Sequence, residues 1–147
     1  MHHVILGAGP AGVIAAETLR KHAPDDTITL VGDEREPPYS RMAIPYLLIG
    51  KVGERGTYLR KSLTHFDDLK IRIVHAQVQS VDAAARSVKL DNGDTLPFDR
   101  LLIATGSRPA SPPISGMDLP GIHTCWTMDD ARAIAKLATK GARVLQM

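Results

Sequence analysis

Three glycines near the amino terminus have the spacing that a phosphate-binding loop requires. The apolar residues 4–6 lead directly into Gly7, Gly9 and Gly12, and a helix-forming run begins at Val13. In a βαβ unit the first glycine permits the tight turn, the second lets the backbone approach a pyrophosphate, and the third lets helix and strand pack closely. The positive end of the helix then faces the phosphates. The predicted dinucleotide-binding loop consists of Gly7, Ala8, Gly9, Pro10, Ala11 and Gly12.

Two acidic residues follow the next predicted strand. Residues 27–31 form a β-branched run typical of a buried strand, and Asp33 and Glu34 come just after it. An acid at this place holds a ribose hydroxyl and disfavours a ribose that carries a 2′-phosphate. Asp33 is favoured because it lies nearer the strand end, with Glu34 second. The alternative is that both are solvated loop carboxylates.

Composition restricts the classes of function. The chain has 147 residues, of which 44% are hydrophobic, so it can bury one core and is expected to form one domain. A net charge of +2 and an aromatic content of 4% argue against nucleic-acid binding. The sequence shows no membrane-spanning run and no signal peptide, which favours the cytoplasm. No metal site is predicted. A single cysteine, Cys125, excludes an internal disulfide.

The middle of the chain predicts a small antiparallel sheet. Residues 71–81 form a strand that enters an alternating pattern, and two short β runs flank Asn92 and Gly93. An Asn-Gly pair in this position indicates a hairpin with a type I′ turn, which needs positive φ at both residues. Residues 77–98 are therefore predicted to be a β-meander inserted into an α/β fold.

Further elements are predicted on either side of the meander. A helix is expected at residues 44–49, and a buried strand is expected at residues 100–106, ending in a turn of small residues. A proline- and glycine-rich crossover follows. The next helix is expected at residues 129–138, with Thr127 as its N-cap.

These motifs together resemble a family of flavoproteins. The glycine loop, the acidic strand end, the meander and the sequence Leu-Ile-Ala-Thr-Gly-Ser at residues 102–107 are similar to the FAD domain of proteins with two dinucleotide-binding domains. That family includes disulfide reductases, NADH oxidases, ferredoxin and rubredoxin reductases and the flavoprotein of nitrite reductase. The resemblance implies a Rossmann-like α/β fold with a parallel sheet and FAD as cofactor. It also implies that Ala104, Thr105 and Gly106 allow close backbone approach to FAD.

The same resemblance assigns further residues and shows departures. It implies that Arg41, in Pro-Tyr-Ser-Arg, contacts FAD and that main-chain groups of Val78 hold the adenine. Met42 stands where thiol-dependent members carry a cysteine, and Trp126 stands where the ferredoxin-reductase branch commonly has an arginine. The lysine usual near Tyr46 in that branch is absent. No catalytic residue is predicted, and Cys125 is expected to be an ordinary buried thiol.

The resemblance also implies a domain organisation and a function. Residues 1–140 are expected to be the FAD domain, and residues 141–147 the first strand of a truncated second domain that would bind NAD(P)H. The full-length protein, compatible with a homodimer, would pass electrons from NAD(P)H through FAD to a redox protein or a nitrite-reductase-type acceptor. The fragment alone would be inactive. The alternatives are a non-catalytic FAD- or NAD-binding module and a single-domain NAD-dependent dehydrogenase.

Overall fold

A computed structural model describes residues 1–146, which divide into two compact units. The first unit comprises Met1–Ser40 and Tyr58–Gly106, and the second comprises Arg41–Thr57 and the described residues from Ser107 onward. The sequence did not anticipate this division, and the predicted boundary at residue 140 stays a prediction. The elements of the first unit are β1 (His2–Leu6), α1 (Pro10–His22), β2 (Thr27–Gly32), α3 (His65–Asp68), β3 (Ile71–His75), β4 (Val78–Asp82), β5 (Ser87–Leu90), β6 (Thr95–Pro97) and β7 (Arg100–Ile103). Those of the second are α2 (Ile44–Leu48) and α4 (Met128–Leu137).

A parallel sheet forms the centre of the first unit. Its strand order is β3-β2-β1-β7, and every pair is parallel. Successive side chains of a strand point to opposite faces, so β1 contributes to two cores. Val4 and Leu6 pack with the meander, whereas Ile5 packs with Val13 of α1 and Ile71 of β3. A strand covered on both faces must be apolar throughout, as β1 is after its histidines.

The predicted meander is present as a separate antiparallel sheet, but its turn differs from the expected one. β4, β5 and β6 pair in that order. A four-residue loop joins β5 to β6, with Gly93 N–H donating to Leu90 O at 3.2 Å. Gly93 has φ +90°, but Asn92 does not have positive φ, so the predicted type I′ turn is wrong. The longer loop places a single residue in the left-handed region, as longer hairpin loops commonly do.

The prediction of a buried strand at residues 100–106 is correct for the strand and wrong for its burial. β7 ends at Ile103, and Leu102 and Ile103 are 42% and 64% exposed. Within residues 1–146, β7 pairs only with β1 and therefore forms an edge of the sheet. An apolar run identifies a strand, but whether neighbouring elements cover it depends on the strand order.

The second unit contains one capped helix and an ion pair. The predicted helix at 44–49 is present as α2, preceded by a 3₁₀ turn at Arg41–Ala43. Thr127 is the N-cap of α4, as predicted, and its Oγ1 accepts from the Asp130 backbone N–H at 3.1 Å. Asp130 in turn accepts from the Thr127 backbone N–H at 3.0 Å, which completes a capping box. Arg132 of α4 pairs with both carboxylate oxygens of Glu54 at 2.9 Å.

Two further expectations concern the later part of the chain. Cys125 is exposed, so the expectation of a buried thiol is wrong; it lies in the irregular crossover, outside both cores. Residues 142–146 are not in a strand in this structure, and Met147 lies outside the described residues. Among the helices of residues 1–146, none has both the length and the apolar character needed to span a bilayer.

Candidate dinucleotide site

The carboxyl edge of the parallel sheet has the topology of a ligand-binding crevice. After β1 the chain crosses through α1 to β2 and later reaches β3 on the same side, whereas β7 pairs with the other side of β1. In open α/β sheets, ligands bind beyond the carboxyl ends of the strands, at the point where the strand order reverses. Leu6 and Ile103 are paired neighbours at the ends of β1 and β7. The strand order reverses between the loop that follows Leu6 and the segment that follows Ile103.

The first glycine of the loop fits against the turn that follows β7. Gly7 has φ +114°, and a Cβ there would lie 2.2 Å from the carbonyl oxygen of Ala104. Ala104 N–H donates to Leu6 O at 2.7 Å, which fixes the two segments together. Both the left-handed conformation and the lack of space require glycine at position 7. The two sequence motifs, far apart in the chain, are therefore in direct contact.

The other two loop glycines differ in what surrounds them. A Cβ at Gly12 would lie 1.9 Å from Gly7 O and 3.2 Å from Leu30 Cδ1, so α1 packs too closely on the loop and on β2 for any side chain. A Cβ at Gly9 would meet nothing within 4 Å. Gly9 therefore faces open space at the start of α1, where the fingerprint places the backbone's approach to a pyrophosphate.

The start of α1 is suited to an anion. Gly9 is the N-cap, no side chain caps the helix, and its first turn contains no acidic residue. The basic residues Arg20, Lys21 and His22 lie in the last turn, where they complement the helix dipole. An acidic cap would compete with a phosphate for the first backbone N–H groups, and this helix has none.

The structure distinguishes the two acids that follow β2. Glu34 is half-buried, and its Oε2 accepts a hydrogen bond from the Tyr39 hydroxyl at 2.5 Å. His75 Nδ1 lies 2.7 Å from the Glu34 carbonyl oxygen, so this nitrogen carries the proton and donates. Asp33, by contrast, is exposed directly beyond the strand end. Glu34 therefore stabilises the loop after β2, and Asp33 is the better candidate for the ribose.

Val78 lies near the same edge. Ala76 N–H donates to Gly32 O at 2.9 Å, which ties the segment after β3 to the end of β2. Val78 begins β4 two residues later, and the register between β4 and β5 shifts between Val78 and Ser80. The glycine loop, Asp33, Val78 and the turn at 104–106 thus all follow carboxyl ends of strands in one sheet. Their contacts with a cofactor stay predictions.

Arg41 belongs to the second unit. Its Nη1 donates to the Trp126 carbonyl oxygen at 3.0 Å, and its guanidinium carbon lies 5.0 Å from the centroid of the Trp126 ring. The predicted contact of Arg41 with the cofactor stays a prediction.

Three residues at the carboxyl edge were missed by sequence reasoning. Tyr39 and His75 hold Glu34, although they lie five and 41 positions from it in the chain. Gly32 is needed because a Cβ there would lie 2.8 Å from Ala8 Cβ, so the glycine loop rests on the end of β2. The only available signal was the glycine that ends an otherwise β-branched run.

An ion-pair network fixes the outer side of α1. Arg60 Nε donates to Glu17 Oε1 at 2.6 Å, and Nη2 contacts Oε2. His65 Nε2 lies 2.8 Å from Oε1 of the same carboxylate. Hydrogen bonding to Arg60, and then to His65, lowers the pKa of Glu17 against the opposing effect of burial. The network ties the segment before β3 to the helix whose other end begins at the glycine loop.

The fold and the edge geometry define a class of protein: a doubly wound α/β domain with a dinucleotide site and an added β-meander. The open space at Gly9, the uncapped start of α1 and the close contact of Gly7 with Ala104 fit the pyrophosphate part of FAD. Within residues 1–146, no three His, Cys, Asp or Glu side chains are grouped as metal ligands would be.

Residues 1–145 match the family described as pyridine nucleotide-disulphide oxidoreductase, and the chain belongs to that family. The chain is 35% identical over 135 residues to rhodocoxin reductase from Rhodococcus erythropolis, covering 91% of this chain and 32% of that protein. It is 36% identical over 145 residues to the ferredoxin–NAD(+) reductase component of the anthranilate 1,2-dioxygenase system of Burkholderia cepacia, covering 96% and 35%. A crystal structure of the covalent putidaredoxin reductase–putidaredoxin complex superposes with a TM-score of 0.81 at 30% identity, covering 92% and 33%.

The comparisons establish the family of this chain, but they do not establish the activity of the whole protein. The chain spans about a third of the length of these relatives, as the 32% and 35% coverages show. Members of the family use FAD and NAD(P)H. The family assignment supports an oxidoreductase and supports neither the non-catalytic module nor the single-domain dehydrogenase.

Proposed function

We propose that this chain is the FAD-binding part of an NAD(P)H-dependent flavin oxidoreductase. The contact between the Gly7 turn and Ala104, at the point where the strand order reverses, supports this assignment most strongly. It joins the phosphate-binding loop to the second small-residue turn, as expected for a dinucleotide that passes close to both backbones.

Each candidate residue has a binding role in this proposal. Gly9 and the first N–H groups of α1 receive the pyrophosphate, and Gly7 and Gly12 keep the loop in its required shape. Asp33 accepts hydrogen bonds from ribose hydroxyls, and main-chain groups of Val78 hold the adenine. The contact of Arg41 with FAD, which the family resemblance implies, stays a proposal; its planar fork could bond two phosphate oxygens at once. None of these residues is assigned a proton-transfer role.

The electron acceptor and the nicotinamide site belong to the proposal for the whole protein. FAD, when bound, supplies the hydride and electron chemistry, and the protein supplies binding and orientation. We propose a ferredoxin-type redox protein or a nitrite-reductase-type module as the acceptor. The support comes from the relatives, which include a ferredoxin–NAD(+) reductase component and a reductase solved in complex with putidaredoxin. NAD(P)H would bind to a second domain.

Competition calorimetry with the chain tests the proposed site. FAD should bind with one-to-one stoichiometry, and ADP should compete, because it carries the adenosine and pyrophosphate that these residues recognise. FMN should not compete, because it lacks the adenosine and has no pyrophosphate. Competition by FMN as strong as by ADP, or NAD binding as tight as FAD binding, would refute the assignment.

A further inference from the structure

The side chain of His75 continues the pairing of β2 with β3 past the ends of the two strands. Gly32 and His75 are the last register partners, and Ala76 N–H donates to Gly32 O at 2.9 Å. Hydrogen bonds along a parallel pair are evenly spaced, so the next carbonyl on this edge is that of Glu34, and its regular donor would be the Val78 N–H. Val78 instead begins β4 of the antiparallel sheet. His75 Nδ1–H takes the place of that donor and bonds Glu34 O at 2.7 Å.

The residue between the two bonded carbonyls is Asp33. Both of its neighbours in the chain are therefore attached to the end of β3, Gly32 through a main-chain bond and Glu34 through the His75 ring. The ring bond lets the chain leave β3 for β4 while the segment after β2 stays in place. All of these residues belong to the first unit.

We propose that His75 is a positioning residue that fixes the segment after β2 so that Asp33 meets the 2′-hydroxyl of the adenosine ribose. This inference rests on the proposed function, in which Asp33 accepts hydrogen bonds from ribose hydroxyls. A loop that is already held in its binding conformation loses less conformational entropy when the ligand binds. The imidazole acts through the main chain of Glu34, and no contact between the ring and the dinucleotide is needed.

Two substitutions at His75 form a matched pair. His75→Asn and His75→Leu introduce side chains of nearly the same shape, of which only asparagine offers an N–H donor to Glu34 O. His75 is exposed, so either change removes little packing. His22→Leu is the control, because His22 is an exposed histidine of the same unit in the last turn of α1, at the opposite end from the glycine loop.

Calorimetric titration of each variant with ADP and with 2′-deoxy-ADP separates positioning from folding. His75→Leu should weaken ADP binding roughly three- to fivefold, within the range of one net hydrogen bond, and leave 2′-deoxy-ADP binding unchanged. His75→Asn should restore ADP binding, and His22→Leu should bind both nucleotides as the parent does. In the Asp33→Asn background, His75→Leu should have no further effect, since the ring acts through the segment that carries Asp33.

Two results of the titrations would overturn the inference. Equal losses for ADP and 2′-deoxy-ADP in His75→Leu would show that His75 only stabilises the fold. Equal losses of ADP binding in His75→Asn and His75→Leu would show that the bond to Glu34 is not the cause.

Nuclear magnetic resonance of the nucleotide-free chain tests the bond itself. A long-range proton–nitrogen correlation of the His75 ring should show a proton on Nδ1, because that nitrogen donates to a carbonyl. A proton on Nε2 alone would overturn the inference. If the parent chain binds neither nucleotide, the proposed function fails and the positioning role fails with it. If the parent binds both nucleotides equally well, the ribose assignment of Asp33 fails, and that outcome is distinct from equal losses on substitution of His75.

Discussion

A pair of glycine substitutions in one loop separates binding from folding. Gly9 has φ −79° and ψ −176°, which alanine adopts readily, and nothing lies within 4 Å of the added Cβ. Extended geometry is also what a residue before proline prefers. Replacing a glycine N-cap by alanine lowers the free energy of unfolding by up to about 1 kcal/mol. Alanine also reduces the conformational entropy of the unfolded chain, which raises the free energy of unfolding by roughly 0.4–1 kcal/mol. The free energy of unfolding of Gly9→Ala should therefore stay within about 0.5 kcal/mol of the parent.

Gly12→Ala should have the opposite effect on the fold. Its Cβ would lie 1.9 Å from the Gly7 carbonyl oxygen, a backbone atom that cannot rotate away. The helix must then shift from the loop, and overpacking of this kind costs about 3 kcal/mol. The variant should unfold at clearly lower urea concentration than the parent, with or without FAD.

FAD titration completes the comparison. Gly9→Ala should weaken FAD binding at least about tenfold, equal to ~1.4 kcal/mol, because the methyl group occupies the space left for the pyrophosphate. Urea unfolding provides the free energy of unfolding, and titration of the same preparations provides the dissociation constant for FAD. Parent-like affinity in Gly9→Ala would refute the placement of the pyrophosphate, and a loss of stability as large as in Gly12→Ala would refute the geometry of the loop.

Four other substitutions test separate parts of the structure. Asp33→Asn should weaken FAD binding roughly tenfold, whereas Glu34→Gln should change it less than about threefold, because Glu34 is held by Tyr39; equal losses in titration would contradict this assignment. Glu17→Gln should lower the free energy of unfolding by about 1–3 kcal/mol at pH 7. The folded pKa of Glu17 lies below its ordinary 4.5, so this contribution is full above that value and is lost as pH falls through the folded pKa. In urea unfolding, the difference in free energy of unfolding between the parent and Glu17→Gln should narrow as the pH falls below the ordinary pKa of Glu17. A difference that stays constant with pH would argue against the ion pair as its cause. Thr127→Ala should cost about 1 kcal/mol and speed amide exchange in the first turn of α4; unchanged exchange would show that the capping box does not stabilise the helix.

The sequence predicted those elements whose causes are local. The strand, glycine loop and helix at the amino terminus follow from apolar runs and glycine spacing within a few residues. The N-cap at Thr127 likewise depends on Asp130, three positions away. The meander was predicted because alternation and turn residues are short-range signals.

The features that were missed depend on strand register or on contacts between residues far apart in the chain. Asn92 and Gly93 indicated a hairpin, but the pairing register of β5 and β6 lengthened the loop and changed its turn. The exposure of Ile103 depends on which strands lie beside β7. The sequence already favoured Asp33 over Glu34 from its place nearer the strand end, but no pattern around the two acids could identify Tyr39 and His75 as the partners of Glu34.

Equilibrium dialysis of the chain against FAD, read by visible absorbance, tests the central claim most directly. The protein side should hold an excess of one flavin per chain, which an excess of ADP abolishes and which needs an at least about tenfold higher flavin concentration in Gly9→Ala. Equal flavin absorbance on both sides of the membrane, or an excess in Gly9→Ala that saturates at the same flavin concentration as in the parent, would contradict the proposed site.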